Sequence, residues 1–146
     1  MKSIRDEAVI RQERGWAGHF ICADQCLFRR NTLLTCGDVR IVVSTVGLWK
    51  ANYVTDGTMD FDRKFQELGP GRYFETRAFH AKYIHPYWDA NISREVFFES
   101  PWCVTTPDAD DIANEQHDAV VEEIAGWMEA ASRQVFIEEV CNAKNE

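Results

Sequence analysis

The side chains best suited to chemistry cluster early in the chain. His19-x-x-Cys22-x-x-x-Cys26, with Cys36 beyond, supplies soft ligands in the number that tetrahedral zinc accepts. Structural zinc sites usually show two tight ligand pairs, however, and Cys22/Cys26 makes at best one. A strand running from Cys26 to Cys36, rising about 3.3 Å per residue, would hold its two ends far apart. The expectation is no metal and no cofactor, with these cysteines serving as small buried apolar groups. A nucleophilic dyad would pair Cys22, Cys26 or Cys103 with His19, His80 or His85, but no local signature selects a pair. Glu75, Arg77, Glu95 and Glu99 fall on neighbouring predicted strands. Paired carboxylates there would do acid–base work, whereas cross-strand Glu–Arg pairing is the simpler expectation. Arg29 and Arg30 are adjacent in a predicted strand, so one must turn toward the core and needs a carboxylate such as Asp24 or Glu75. The chain has no GxGxxG, Walker A, GxSxG or HExxH pattern.

Two other groups suit recognition rather than catalysis. Tyr83, His85, Tyr87 and Trp88 crowd an aromatic segment around Pro86, and aromatics with a polar tip are enriched at interface hot spots. Asp111, Glu115, Asp118 and Glu122 recur at helical spacing on the polar side of a predicted helix. The candidate partner-binding residues are thus Tyr83, Tyr87, Trp88, Asp111, Glu115, Asp118 and Glu122.

The elements that position these groups follow from hydrophobic period. Ser3-Ile4-Arg5-Asp6 has capping-box spacing, and with Ala8 and Val9 it predicts a short helix over residues 4–13. Residues 26–35 and 39–46 read as strands joined by the Cys36-Gly37-Asp38 turn, and alternation in the second puts Val39, Ile41 and Val43 on one face. Residues 50–71, broken by Gly57, Gly69 and Pro70, read as a long loop. Residues 72–83 and 94–100 read as third and fourth strands, with residues 85–89 as an aromatic loop between them.

A long helix follows, with Thr106 as N-cap and Pro107 at its first position. Its apolar stripe is Ala113, His117, Val120, Val121, Ile124, Trp127, Met128, Ala131 and Val135. Gly126 falls on the acidic side, where it would mark a bend or a close approach. Beyond Val135 the apolar pattern reverses, which predicts either a break near residues 132–135 or a second surface, with a homodimer contact through residues 135–141 as one candidate. The fold class expected is α+β: an antiparallel meander of four or more strands, with a short N-terminal helix and a long C-terminal amphipathic helix packed on the sheet.

Composition limits the alternatives. The chain has 146 residues, matching one domain over residues 1–146, and is 45% hydrophobic and 12% aromatic, enough for a packed core. No apolar run reaches the ~18 residues of a membrane span, and residues 1–14 lack the apolar centre of a signal peptide, so a cytoplasmic location is expected. An odd number of cysteines, five, fits a reducing compartment. The net charge of −8 is uneven. Residues 1–106 hold 14 Lys/Arg against 13 Asp/Glu, and residues 107–146 hold 2 against 11. Direct binding to nucleic acid or membrane is disfavoured, and a partner protein with a basic surface is favoured.

Residues 15–47 (GWAGHFICADQCLFRRNTLLTCGDVRIVVSTVG) resemble small uncharacterised proteins of prophages and mobile elements. The resemblance covers that segment alone, holds no defined catalytic motif and transfers no functional residue. It implies a host-interacting accessory role. Two functions are therefore carried forward. The first is a non-enzymatic interaction or inhibitor protein of a phage or mobile element. Its acidic helix face or aromatic loop would engage a basic host surface, such as one that holds nucleic acid. The second is a small hydrolase or transferase with a His/Cys/Glu/Arg site near residues 50–71.

Overall fold

A computed structural model describes residues 8–15, 26–49, 73–99 and 110–145. Five strands form one antiparallel sheet in sequence order: β1 (Ile10–Gly15), β2 (Cys26–Cys36), β3 (Val39–Trp49), β4 (Phe74–Ile84) and β5 (Tyr87–Val96). One helix, α1 (Asp110–Asn145), crosses one face of that sheet. The architecture is the expected α+β meander with a C-terminal helix.

The central strands form where alternation was strongest. Leu34, Cys36, Ile41, Val43 and Ala78 turn one face toward α1 and meet Val120, Val121, Ile124 and Met128 in a single apolar cluster. Residues of opposite parity (Leu33, Val42, Val46 and Phe79) point away from α1 and are buried as well. Both faces of the sheet's centre are therefore shielded, as the near-continuous apolar run of β3 requires. Gly37, in the β2–β3 turn, takes φ 59°, a left-handed backbone that glycine adopts without steric penalty.

A second cluster closes the other end of the helix–sheet interface. Gly47 pairs with Phe28 on one side and Phe74 on the other. The two rings meet edge to face over it, 5.4 Å between centroids. Leu48 follows with φ 55°, donates its N–H to the Tyr73 carbonyl at 3.0 Å, and joins Phe74 and Ala113 in the cluster. A left-handed leucine is strained and persists only where its surroundings impose it.

Several expectations are corrected. Residues 10–13, predicted as the end of a helix, belong to β1, and residues 4–7 of that prediction lie outside the described residues. The capping-box spacing is a local signal. The unpaired edge of β2 offered Ile10–Gly15 a ladder of backbone hydrogen bonds, and the pairing from Ile10↔Thr35 to Gly15↔Asn31 prevailed. Tyr87 and Trp88 stand in β5 rather than in a loop, because the His85–Pro86 turn, with a cis peptide bond, reverses the chain in two residues. The fourth predicted strand shifts accordingly from residues 94–100 to Tyr87–Val96.

The helix is unbroken from Asp110 to Asn145, so the reversed apolar pattern after Val135 does not mark a break. Gly126 opens onto empty space, so no close approach explains it. The buried stripe is also rotated from the one predicted: Gln116 and Ala125 are buried, whereas Trp127 is 42% exposed. The predicted cap at Thr106 and Pro107 and the loop over residues 50–71 lie outside the described residues.

β5 is an edge strand, and it is irregular. Between Phe79 and Ala81 of β4 the partner moves from Glu95 to Ala90, so β5 carries three extra residues there. Asn91 Oδ1 fills the bulge by accepting from the Ser93 amide (3.2 Å) and hydroxyl (2.6 Å). Bulges of this kind interrupt the open hydrogen-bonding row through which edge strands pair with other chains.

Candidate functional site

The β4–β5 hairpin gathers the aromatic candidates on paired backbone. Tyr83 pairs with Trp88 and Ile84 with Tyr87 across the tight turn. The Tyr83 and Trp88 rings lie 5.3 Å apart, and the Tyr83 hydroxyl is 3.0 Å from His85 Nδ1. Two cations meet the rings of the hairpin end: the Arg40 guanidinium sits 4.2 Å from the Trp88 centroid, and Arg14 of β1 sits 5.8 Å from Tyr87. These cation–π contacts hold one side of each ring. Tyr83 (55%), Ile84 (50%) and Tyr87 (64%) remain exposed, and Trp88 is half-buried. Ile92 within β5 and Phe97 just past its end are exposed as well.

The acidic candidates divide into two pairs. Asp111 and Glu115 are exposed near the start of α1, beside Asp110. There the carboxylates of Asp110 and Asp111 also complement the positive end of the helix dipole. Asp118 and Glu122 are engaged within the fold. Asp118 lies 2.8 Å from Arg30, and Glu122 receives both terminal nitrogens of Arg11. The Arg11 hydrogen bond and charge hold the Glu122 carboxyl below its ordinary range.

Arg30 is the inward member of the Arg29–Arg30 pair, as strand alternation required. Its carboxylates are Glu13 of β1 (2.9 Å) and Asp118 of α1, and it also donates to Asn114 at 3.3 Å. The expected partner Glu75 is instead 2.7 Å from Arg77, and Asp24 lies outside the described residues. Burial opposes ionisation of Glu13, but the hydrogen bonds from Arg30 and Thr32 outweigh it and hold its carboxyl low.

Beneath these ion pairs lies a buried polar chain. His117, counted in the sequence as part of the apolar stripe, is fully buried. Its Nε2 is 2.7 Å from Thr32 Oγ1 and its Nδ1 is 2.7 Å from Thr45 Oγ1. Thr32 donates to Glu13 at 2.8 Å, and Thr45 lies 2.8 Å from Thr76 Oγ1. Because Thr32 gives its hydroxyl proton to the carboxylate, it must accept from Nε2–H. Neutral imidazole then accepts at Nδ1 from Thr45. The chain thus has one direction, from Thr76 through Thr45, His117 and Thr32 to Glu13. Burial, and then the charge of Arg30, push His117 down to about 4, against the smaller pull of Glu13 and Asp118. Inward-facing threonines on three successive strands, opposite a histidine in an apolar stripe, were the sequence signal for this network.

The catalytic candidates do not converge. His80 shares the α1-facing parity of Thr76 and Ala78, and pairs with Ile41 of the core. Glu75 and Arg77 lie on the other face, where Arg77 joins Glu75 and Glu95 (3.3 Å) in an ion-pair cluster. Both carboxylates are thus engaged by one arginine rather than by each other. Glu99 is elsewhere, its amide bonded to Glu123 at 2.6 Å. Cys26 and Cys36 are buried at opposite ends of β2. His19, Cys22 and Cys103 lie outside the described residues. Among the described residues no group of three or more His, Cys, Asp or Glu side chains is placed to hold a metal ion, and no helix is long and apolar enough to cross a membrane.

Comparison of the chain with protein-family models, with curated proteins and with solved structures returned no match.

Proposed function

We propose that this chain is a non-enzymatic protein-interaction protein, acting as a binder or inhibitor in the cytoplasm, with a phage or mobile element as its source. The observation that carries this reading is the exposure of Tyr83, Ile84 and Tyr87 at the paired end of the β4–β5 hairpin. A rigid support lowers the entropy lost when such side chains are buried in an interface, and tyrosine combines apolar area with a polar tip. The partner is a host protein with a basic surface, of the kind that holds nucleic acid. Asp110, Asp111 and Glu115 supply the attracting charge, since Asp118 and Glu122 already hold arginines of this chain. A second copy, meeting residues 135–141 of the continuous helix, is a further partner consistent with α1 running about 54 Å through 36 residues at 1.5 Å each.

The test begins with capture from host lysate at low salt and identification of the bound protein by mass spectrometry. Affinity is then measured for purified variants. Tyr83→Ala and Tyr87→Ala are each expected to weaken binding by about 30-fold, the scale of a hot-spot residue. Asp111→Asn with Glu115→Gln is expected mainly to slow association and flatten its salt dependence. A Tyr83→Ala/Tyr87→Ala protein that is folded and binds with unchanged affinity would remove the hairpin from the interface.

A further inference from the structure

The helix–sheet interface holds a buried hydrogen-bond chain around His117. We propose that the hydrogen-bond chain Glu13–Thr32–His117–Thr45–Thr76 is an acid-released clasp that fastens α1 to the sheet. It joins α1 to four strands through one imidazole: Glu13 on β1, Thr32 on β2, Thr45 on β3 and Thr76 on β4. Among the described residues, the charged groups facing His117 are Glu13 of β1, Arg30 of β2 and Asp118 of α1, whereas β3 and β4 present the hydroxyls of Thr45 and Thr76.

The clasp is selective for the neutral ring because of its direction. Neutral imidazole has one donor and one acceptor, and the Glu13 carboxylate assigns the donor to Nε2. A second proton turns Nδ1 into a donor aimed at Thr45, whose own proton already points at the ring. Thr45 must rotate toward Thr76, and Thr76 must then surrender its bond to Thr45. Both hydroxyls are sealed from water. Arg30, braced by Glu13 and Asp118, adds a positive charge against the imidazolium. Lifting α1 off the sheet relieves all of this by returning the ring to water. The direction of the linkage follows. An open state takes its proton near the ordinary 6.5 and the closed state only near 4, so the open state holds more protons between these values and gains as the pH falls. Stability from the clasp is complete above this window and lost through it.

The measurement is amide exchange across α1, corrected for intrinsic rates, alongside the ring nitrogens of His117 followed by NMR. From those two limits, the opening constant for the buried α1 residues around Val120 and Ile124 is expected to rise about 30-fold between about pH 7.5 and about pH 5. In His117→Gln, which keeps a donor and an acceptor but does not titrate, that rise should vanish. The acid loss contributed by Glu13 falls below the ordinary carboxylate value of 4.5 and remains in the variant, so the two separate. An equal rise in His117→Gln would overturn the proposal. Should that variant not fold, the natural protein decides. A ring protonated at Nε2 and titrating near 4 supports the clasp, and one protonated at Nδ1 or titrating near 6.5 in the folded state refutes it.

Discussion

Gly47→Ala is expected to destabilise the fold by about 3 kcal/mol, the upper part of the range for overpacking a closed core. A Cβ built on Gly47 would stand 2.8 Å from both Cγ and Cε1 of Phe74, and closer still to Cδ1. Real Cβ atoms do not approach other carbons so nearly, so the ring or a strand must move. The ring has little room, being 1% exposed and locked edge to face with Phe28. Backbone strain is not involved, because Gly47 does not adopt a left-handed conformation. The effect is therefore purely one of volume, and a compensating change should recover it. Phe74→Leu alone should cost about 1–2 kcal/mol by leaving a cavity, yet in the Gly47→Ala background it should cost less or restore stability. Urea midpoints at constant slope supply the four corners of that cycle. Additive losses would show that the two residues do not share this space.

The second large effect concerns how α1 is attached. Ile124 is fully buried at the centre of the cluster formed with Leu34, Ile41, Val43 and Ala78. Ile124→Ala is expected to cost about 2–5 kcal/mol, combining lost transfer energy with the cavity left between helix and strands. Gly126→Ala, on the opposite side of the same turn, faces open space and should instead stabilise by up to about 1 kcal/mol through helix propensity. Equilibrium unfolding of the two variants makes a paired test of helix orientation. A loss below about 1 kcal/mol at Ile124 would mean that the site collapses or that α1 does not rest on the sheet there.

Much of this arrangement is legible in residue order. The β-branched apolar run of residues 39–46, with Val39, Ile41 and Val43 on one face, identified β3, and a Gly-Asp turn identified its pairing with β2. The 3.6-residue period after Asp110 identified α1 and most of its buried stripe. Local period reports which side of an element is buried, and burial is what these segments share with their counterparts in any fold. The aromatic residues were also visible as a cluster, although their support was not. A His-Pro pair reads as a loop until the flanking strands are known to pair, whereupon it becomes a two-residue reversal.

The element read wrongly, β1, shows why such signals fail. Residues 4–13 carry both a capping pattern and charges that suit an exposed strand, and only the open edge of β2 distinguishes the outcomes. The acidic face shows the same limit. Asp111, Glu115, Asp118 and Glu122 are equivalent by helical spacing, yet Glu122 holds an arginine 111 residues away and Asp118 holds Arg30. All four are exposed, and nothing local marks Asp118 and Glu122 as the two that meet these arginines.

Residue order by itself determined that this protein is a meander of strands closed by an acidic amphipathic helix, because period and charge are properties of contiguous chain. Only the tertiary structure decided that His117 is the centre of a directed polar chain rather than one more apolar contact. It also decided that Arg30 braces that chain and that the aromatic residues stand on a paired hairpin. Each of these depends on which distant side chain arrives opposite, and that is set by sheet register and helix placement together.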